Sequence, residues 1–472
     1  MLDETCDISV HKKLAIYVRY IYNGEISVAF VGNEQITDCT AAGIESALLE
    51  FLVRTGISND DLINVLGLGT DGAAVMTGRL NGLGAKLKAR NNKLLQVHCI
   101  AHRLNLAASQ AGKDINFCKR YHEMIHSLYK YYSDSSVRYD KLRELQEILI
   151  GKSSQITEPT SVRWLSVEAA VKIIFSNYGP VYQSLESDKT AGKADGLLKF
   201  IANAKFLLFT ALLIDVLTVI GILSLTFQKD LVNISHIRAS ISATKATLET
   251  MKTRSETVSK VLSELGNIPE PGTKNKYQQL EVIDNQQTRD EFSNLRQTYI
   301  DKLILNLNNR FPEDQLQTLE CFDIVLNPKR YPDQAGDLPN YGNDQLSSLL
   351  SFYDTLVNSE RAKSHFLMFK HFARSHKAIT FDSFIKLLIN EYEDEFPDFV
   401  LLGKIAMIIP VSSAPCERGF SVQNALKNKV RNRLNASRLN RLMFINLIGP
   451  PIEHLDFLPA AKIFAEGAQG RL

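Results

Sequence analysis

Leu66-Gly67-Leu68-Gly69-Thr70-Asp71-Gly72 reads as the end of an apolar strand over 63–67 that runs into a glycine-rich turn holding a carboxylate. Upstream, residues 14–21 and 26–31 have strand character. Asn23-Gly24 lies between them, the dipeptide that best tolerates the positive φ angles of a tight hairpin. Residues 40–55 carry Ile44, Leu48, Leu49 and Leu52 at helical spacing, with Gly56 as the stop. Downstream follow a short helix over 83–89, an apolar strand over 94–100 and a helix beginning near 104. Antiparallel strands followed by alternating helices and strands predict an α/β fold with a mixed sheet flanked by helices.

The next stretch, 112–395, changes character. Its apolar spacing is helical, and Pro and Gly interruptions near 267–275 and 328–342 read as loops between helices. Within it, residues 206–227 form an apolar run long enough to span a bilayer. Asp215 sits in its middle, Thr210, Thr218, Ser224 and Thr226 dilute it, and no basic flank orients it, so a buried helix is expected and no membrane partner. The chain therefore divides into 1–111, the helical insertion 112–395, a compact segment 396–448, and a tail 449–472 expected to be loosely ordered.

Composition is that of an ordinary soluble globular protein, with 45% hydrophobic and 22% charged residues. A net charge of +2 leaves any nucleic-acid binding to local clusters of Lys and Arg. Cys6, Cys39, Cys99, Cys118, Cys321 and Cys416 form no CxxC pair and no disulfide framework, which favours a reducing compartment, cytosol or nucleus. No basic segment precedes an apolar one at the start, so a secretory signal is not expected. The abrupt beginning reads as an N-terminally short product.

Metal-dependent phosphoryl transfer needs converging carboxylates, and three stand where strands and helices could bring them together. Asp3 lies at the start of the first strand, Asp71 follows a strand, and Glu417 sits near the start of a late helix. Each has a plainer role available: a terminal residue, a turn residue and a first-turn helix acid. Cys99 and His102, with His98 alongside, make only half of a zinc site, and no second pair is near. Trp164, the single tryptophan, could stack on an unpaired base or pack in a core. Arg418, Lys427, Lys429, Arg431, Arg433, Arg438 and Arg441 form a basic run that suits phosphate contacts or a solvated helix face.

Five separated motifs then occur in one order. They are Asp3-Glu4-Thr5-Cys6-Asp7-Ile8-Ser9, Thr70-Asp71-Gly72-Ala73-Ala74-Val75-Met76-Thr77-Gly78, and Val97-His98-Cys99-Ile100-Ala101-His102-Arg103-Leu104-Asn105-Leu106. Ser161-Val162-Arg163-Trp164-Leu165-Ser166 follows, and then the stretch from Pro410 to Ser421 with Arg431-Asn432-Arg433-Leu434. Together they resemble the hAT superfamily of DNA transposases over nearly the whole chain. The resemblance implies a ribonuclease-H-like core split by a large all-α insertion and a C-terminal dimerisation region. It further implies a DDE triad of Asp3, Asp71 and Glu417 holding Mg²⁺ or Mn²⁺ to cut and join DNA.

Asp7 rivals Asp3 for the first place. An even separation puts both on one face of a strand, and Asp3 is preferred because the family's motif begins with its catalytic residue. The resemblance also implies DNA contacts at His102 and Trp164 and, in the basic run, at Arg418, Lys427, Lys429, Arg431 and Arg433. Its partners would be DNA and a second copy of the chain, in the nucleus. Family members usually carry an N-terminal BED-type zinc finger, and no Cys or His pairs precede the core here. Two functions therefore stand side by side: a transposase core that cleaves and transfers DNA strands, or a domesticated, inactive derivative that dimerises and binds DNA or protein.

Overall fold

The computed structural model describes residues 1–6, 12–58, 60–157, 164–188, 192–229, 234–270, 273–312 and 317–468. The chain forms two compact units. One comprises Met1–Cys99, Tyr331–Tyr341 and Leu350–Leu472, the other Ile100–Arg330 and Gly342–Leu349.

The first unit opens with strands β1 (Leu2–Cys6), β2 (Lys12–Tyr22) and β3 (Glu25–Gln35), helix α1 (Ala41–Arg54), β4 (Gly67–Thr70), α2 (Ala74–Thr77), α3 (Leu83–Arg90) and β5 (Leu95–His98). The hairpin between β2 and β3 turns at Asn23 (φ 50°) and Gly24 (φ 75°), as the dipeptide requires. Helix α1 is capped by the Thr40 side chain, which accepts from the Gly43 N–H at 3.1 Å, and Gly56 follows it at φ 89°.

Strands β1, β2 and β3 pair antiparallel in that order, β4 and β5 pair parallel, and β1 comes alongside β4. Among the described residues the expected mixed sheet is thus two hydrogen-bonded pieces. With four residues, two of them glycine, β4 offers a short ladder. The strand expected over 63–67 begins instead at Gly67. The Asn91 side-chain amide donates to the carbonyls of Ile63 and Val65 at 2.9 and 3.0 Å, and those carbonyls are therefore fastened to the end of α3.

Alternation in β1 and β2 divides the core in two. Leu2, Leu14 and Ile16 face Ile44, Leu48 and Phe51 of α1 and Leu83 and Leu87 of α3. Met1, Ala15, Tyr17 and Phe30 face Cys416, Phe420, Leu439 and Met443. The latter belong to the C-terminal part of this unit, described below.

The second unit contains α4 (Ile100–Gln110), α5 (Asn116–Ser133), α6 (Ser136–Ile150), α7 (Trp164–Ser176), α8 (Tyr178–Ser187), α9 (Gly192–Ile201), α10 (Ala204–Phe227), α11 (Ile234–Met251) and α12 (Glu256–Leu265). A small hairpin of β6 (Asn275–Tyr277) and β7 (Leu280–Val282) precedes α13 (Gln286–Arg310) and α14 (Gln317–Leu326). The hairpin lies inside a stretch whose spacing reads as helical. Gln278 and Gln279, at φ 51° and 64°, form its turn without the glycine that announces one.

Helix α10 is long and apolar enough to cross a membrane, yet most of it is buried, with α4, α7, α11, α12 and α13 packed around it. Its Asp215 accepts the Thr257 N–H at 2.9 Å and the hydroxyls of Ser255 and Thr257, so this acid caps the start of α12.

Helix α15 (Asn343–Phe352) crosses the division between the units. The first unit then resumes with α16 (Ser359–Ser375), α17 (Phe381–Glu391), α18 (Pro397–Ile408), α19 (Ala414–Leu426), α20 (Ala436–Ile448) and α21 (Leu458–Ala468). The tail expected to be loose thus includes a helix.

Candidate active site

Asp3 pairs with Ala15 in the β1–β2 register, so its side chain points to the face covered by α19 rather than the face covered by α1. It is 9% exposed. Burial, then the charge of Asp71, then that of Glu417, raise its pKa to about 8. The same three causes that make this carboxyl hard to ionise identify its neighbours. The structure brings both Asp71 and Glu417 within electrostatic reach of Asp3. Asp7 lies outside the described residues.

Asp71 is the first residue after β4. Its Oδ1 accepts the Ala73 N–H at 3.2 Å, which folds the chain sharply into α2. Strand β4 reaches this point under unusual crowding. A Cβ on Gly69 would lie 2.7 Å from the Pro410 carbonyl oxygen, and one on Gly67 would lie 2.6 Å from Pro410 Cδ. Here the glycines let the segment after α18 lie directly on the strand.

Glu417 occupies the first turn of α19 and is exposed. Ahead of it, Ser413 and Ser412 are buried, and the Ala414 N–H donates to Ser412 Oγ at 3.2 Å. The fully buried Cys99 Sγ accepts the Ser413 N–H at 3.1 Å. Cys99 therefore packs inside the first unit and anchors the start of α19. One turn on, Gly419 lies so close to the Tyr17 hydroxyl that any side chain there would collide with it.

These donors have the right chemistry for a divalent cation: oxygen ligands whose mutual repulsion a cation would relieve. Among the described residues, however, no group of three His, Cys, Asp or Glu side chains is arranged to hold a metal. The carboxylates are neighbours without forming a closed ligand set.

The sequence motif draws attention to His102, which is partly buried on α4 in the second unit. The first unit supplies another imidazole. His98 ends β5 opposite Thr70, and its ring lies against Gly72, leaving no room for a side chain there. The parallel register of two strand ends is what places His98 beside the Asp71 turn.

Trp164 begins α7, but its side chain, like residues 161–163, lies outside the described residues. In the basic run, Arg418, Lys429, Arg431, Arg433, Arg438 and Arg441 are exposed, whereas Lys427 is 6% exposed at the end of α19. Lys427 therefore stands apart from the solvent-facing cations.

Comparison with known families gives two matches. Residues 1–82 match a family described as the ZMYM1/FAM200 RNase-like domain. Residues 362–447 match the hAT family C-terminal dimerisation region. The first span includes Asp3 and Asp71, and the second includes Glu417.

Proposed function

We propose that this chain, a hAT-family transposase or a protein derived from one, carries out metal-dependent DNA strand cleavage and transfer from a ribonuclease-H-like core. Asp3, Asp71 and Glu417 are the reacting-site carboxylates. The observation that carries this reading is that β1, which holds Asp3, lies beside both β4, whose end delivers Asp71, and α19, whose first turn holds Glu417, so residues from three distant parts of the sequence come together. An isolated turn acid, helix acid and terminal acid have no reason to converge.

Mg²⁺ or Mn²⁺, when bound, supplies activation of the attacking oxygen and charge neutralisation at the leaving oxygen. The three carboxylates would hold it. Asp3 would be the buried member of the set, its carboxyl raised to about 8 by burial and by the charges of Asp71 and Glu417. Asp71 is oriented by its turn, and Glu417 approaches from the solvent-exposed side of α19. The exposed Arg418, Lys429, Arg431 and Arg433 would contact the phosphate backbone, and self-association through the matched C-terminal region would pair two such sites.

The absence of a closed three-ligand group among the described residues favours the second reading, a transposase-derived protein that dimerises and binds DNA or protein without cutting. The two readings separate in one assay: supercoiled plasmid incubated with the purified chain and Mg²⁺ or Mn²⁺, beside Asp71→Ala, Asp3→Asn and Glu417→Gln. Metal-dependent nicking lost in all three variants supports the nuclease reading. Folded wild-type protein that binds the plasmid and leaves it supercoiled rejects it in favour of the binding protein.

A further inference from the structure

Every residue from 448 to 466 is exposed, although the segment contains Ile452, Leu455, Phe457, Leu458, Ile463 and Phe464. Ile463 and Phe464 are 71% and 80% exposed on α21. Helix α21 has 11 residues, shorter than the ~12–15 at which even good helix formers hold together alone in water. An apolar helix of this length, with none of its large side chains covered, lacks the packing that normally supports one.

The helix before it offers a matching surface. Leu439 and Met443 of α20 are buried against β3 and α19, while Arg438, Arg441, Ile445 and Ile448 form an exposed stripe on the other side. The stripe combines two cations with two apolar side chains. The segment 449–466 carries Glu453, Asp456 and Glu466 against Lys462, together with its apolar residues. Both surfaces lie in the same chain, and both remain exposed in it. The acidic character of the segment disfavours DNA or an anionic lipid as its cover.

We propose that residues 448–466 form an arm that docks, through its apolar and acidic side chains, on the Arg438–Arg441–Ile445–Ile448 stripe of a second copy of this chain. The arm lies beyond the matched dimerisation region, which ends at residue 447, and extends it. The inference rests on self-association through that region. In a symmetric pair each arm covers the other copy's stripe, so two equivalent interfaces form.

Sedimentation equilibrium of the full chain tests it with two double variants, Ile463→Ser with Phe464→Ser on the arm and Ile445→Ser with Ile448→Ser on the stripe. All four side chains are exposed, so circular dichroism should be unchanged. Each double variant should weaken self-association at least ~10-fold. Combining them should cost less than the sum of the two, because both disrupt the same interface. An arm variant that associates as tightly as wild type overturns the arm. If only the stripe variant weakens association, the dimerisation region stands and the arm falls. A wild-type chain that stays monomeric up to ~100 μM overturns both.

Discussion

Cys99 bonds in two directions at once: its N–H donates to the Thr70 carbonyl at 2.8 Å, and its Sγ accepts the Ser413 N–H at 3.1 Å. One residue thus joins the strand end that delivers Asp71 to the helix start that delivers Glu417. Cys99→Ala leaves the buried Ser413 N–H without its acceptor, at a cost of ~1–3 kcal/mol, plus a small cavity. Cys99→Ser keeps an acceptor and should cost clearly less. Urea unfolding of the two variants measures the difference, and equal losses would show that the thiol only fills space.

Asp3 gives a signed pH dependence. Its folded pKa of about 8 lies above the unfolded carboxylate value, so the folded state holds the proton more tightly across the interval between them. Stability therefore falls as pH rises from about 4 to about 8. Asp3→Asn removes this cost and should be the more stable protein at pH 8.5, by at least ~1 kcal/mol given ~1.4 kcal/mol per unit of displacement. At pH 4 the two should be close. Denaturant midpoints at the two pH values test this, and a gap that does not widen with pH contradicts it.

Two glycines should respond in opposite directions to the same substitution. Gly69→Ala forces a Cβ toward the Pro410 carbonyl and should destabilise by ~1–3 kcal/mol. Gly196 lies exposed inside α9 with no atom within 4 Å of an added Cβ, so Gly196→Ala should stabilise by ~0.5–1 kcal/mol. Thermal unfolding of both variants is sufficient, and a common sign would refute the local account.

The exposed basic stretch predicts salt-dependent DNA binding. Arg431→Ala with Arg433→Ala should reduce the slope of log K against log salt by ~2, at ~0.9 for each phosphate no longer neutralised. Lys427, being buried, should change stability more than that slope when replaced by Met. Fluorescence anisotropy on a labelled duplex at several salt concentrations separates the two effects. An unchanged slope for the arginine pair would show that neither side chain touches the phosphate backbone.

What could be read from the sequence follows a physical divide. The β2–β3 hairpin, α1 and the buried α10 were legible because local chemistry decides them: an Asn-Gly turn, apolar residues at helical spacing that stop at Gly56, and a long apolar run interrupted by Asp215. The start of β4 was not. Gly67 and Gly69 have weak strand propensity; they are held extended by the parallel ladder with β5 and lie against Pro410, more than three hundred residues away, so their conformation is set by distant contacts. The β6–β7 hairpin, turning on two glutamines, gives no glycine signal. At the candidate site, the three carboxylates could be placed at the ends of strands and the start of a helix, but spacing alone favoured none of them, and only the family resemblance joined them as a triad. His98 was visible only as a neighbour of Cys99. Its place at the Asp71 turn depends on the Thr70–His98 register, which sequence does not encode locally.

The division of the first unit between the two ends of the chain has a consequence for biosynthesis. One face of β2 and β3 is covered early, by α1 and α3, but Ala15, Tyr17 and Phe30 on the other wait for Cys416, Phe420, Leu439 and Met443. A ribosome must add the entire second unit before those side chains leave the exit tunnel. Throughout that interval the nascent chain presents an uncovered apolar face, the kind of surface that chaperones retain. Premature termination anywhere before α19 would make that exposure permanent.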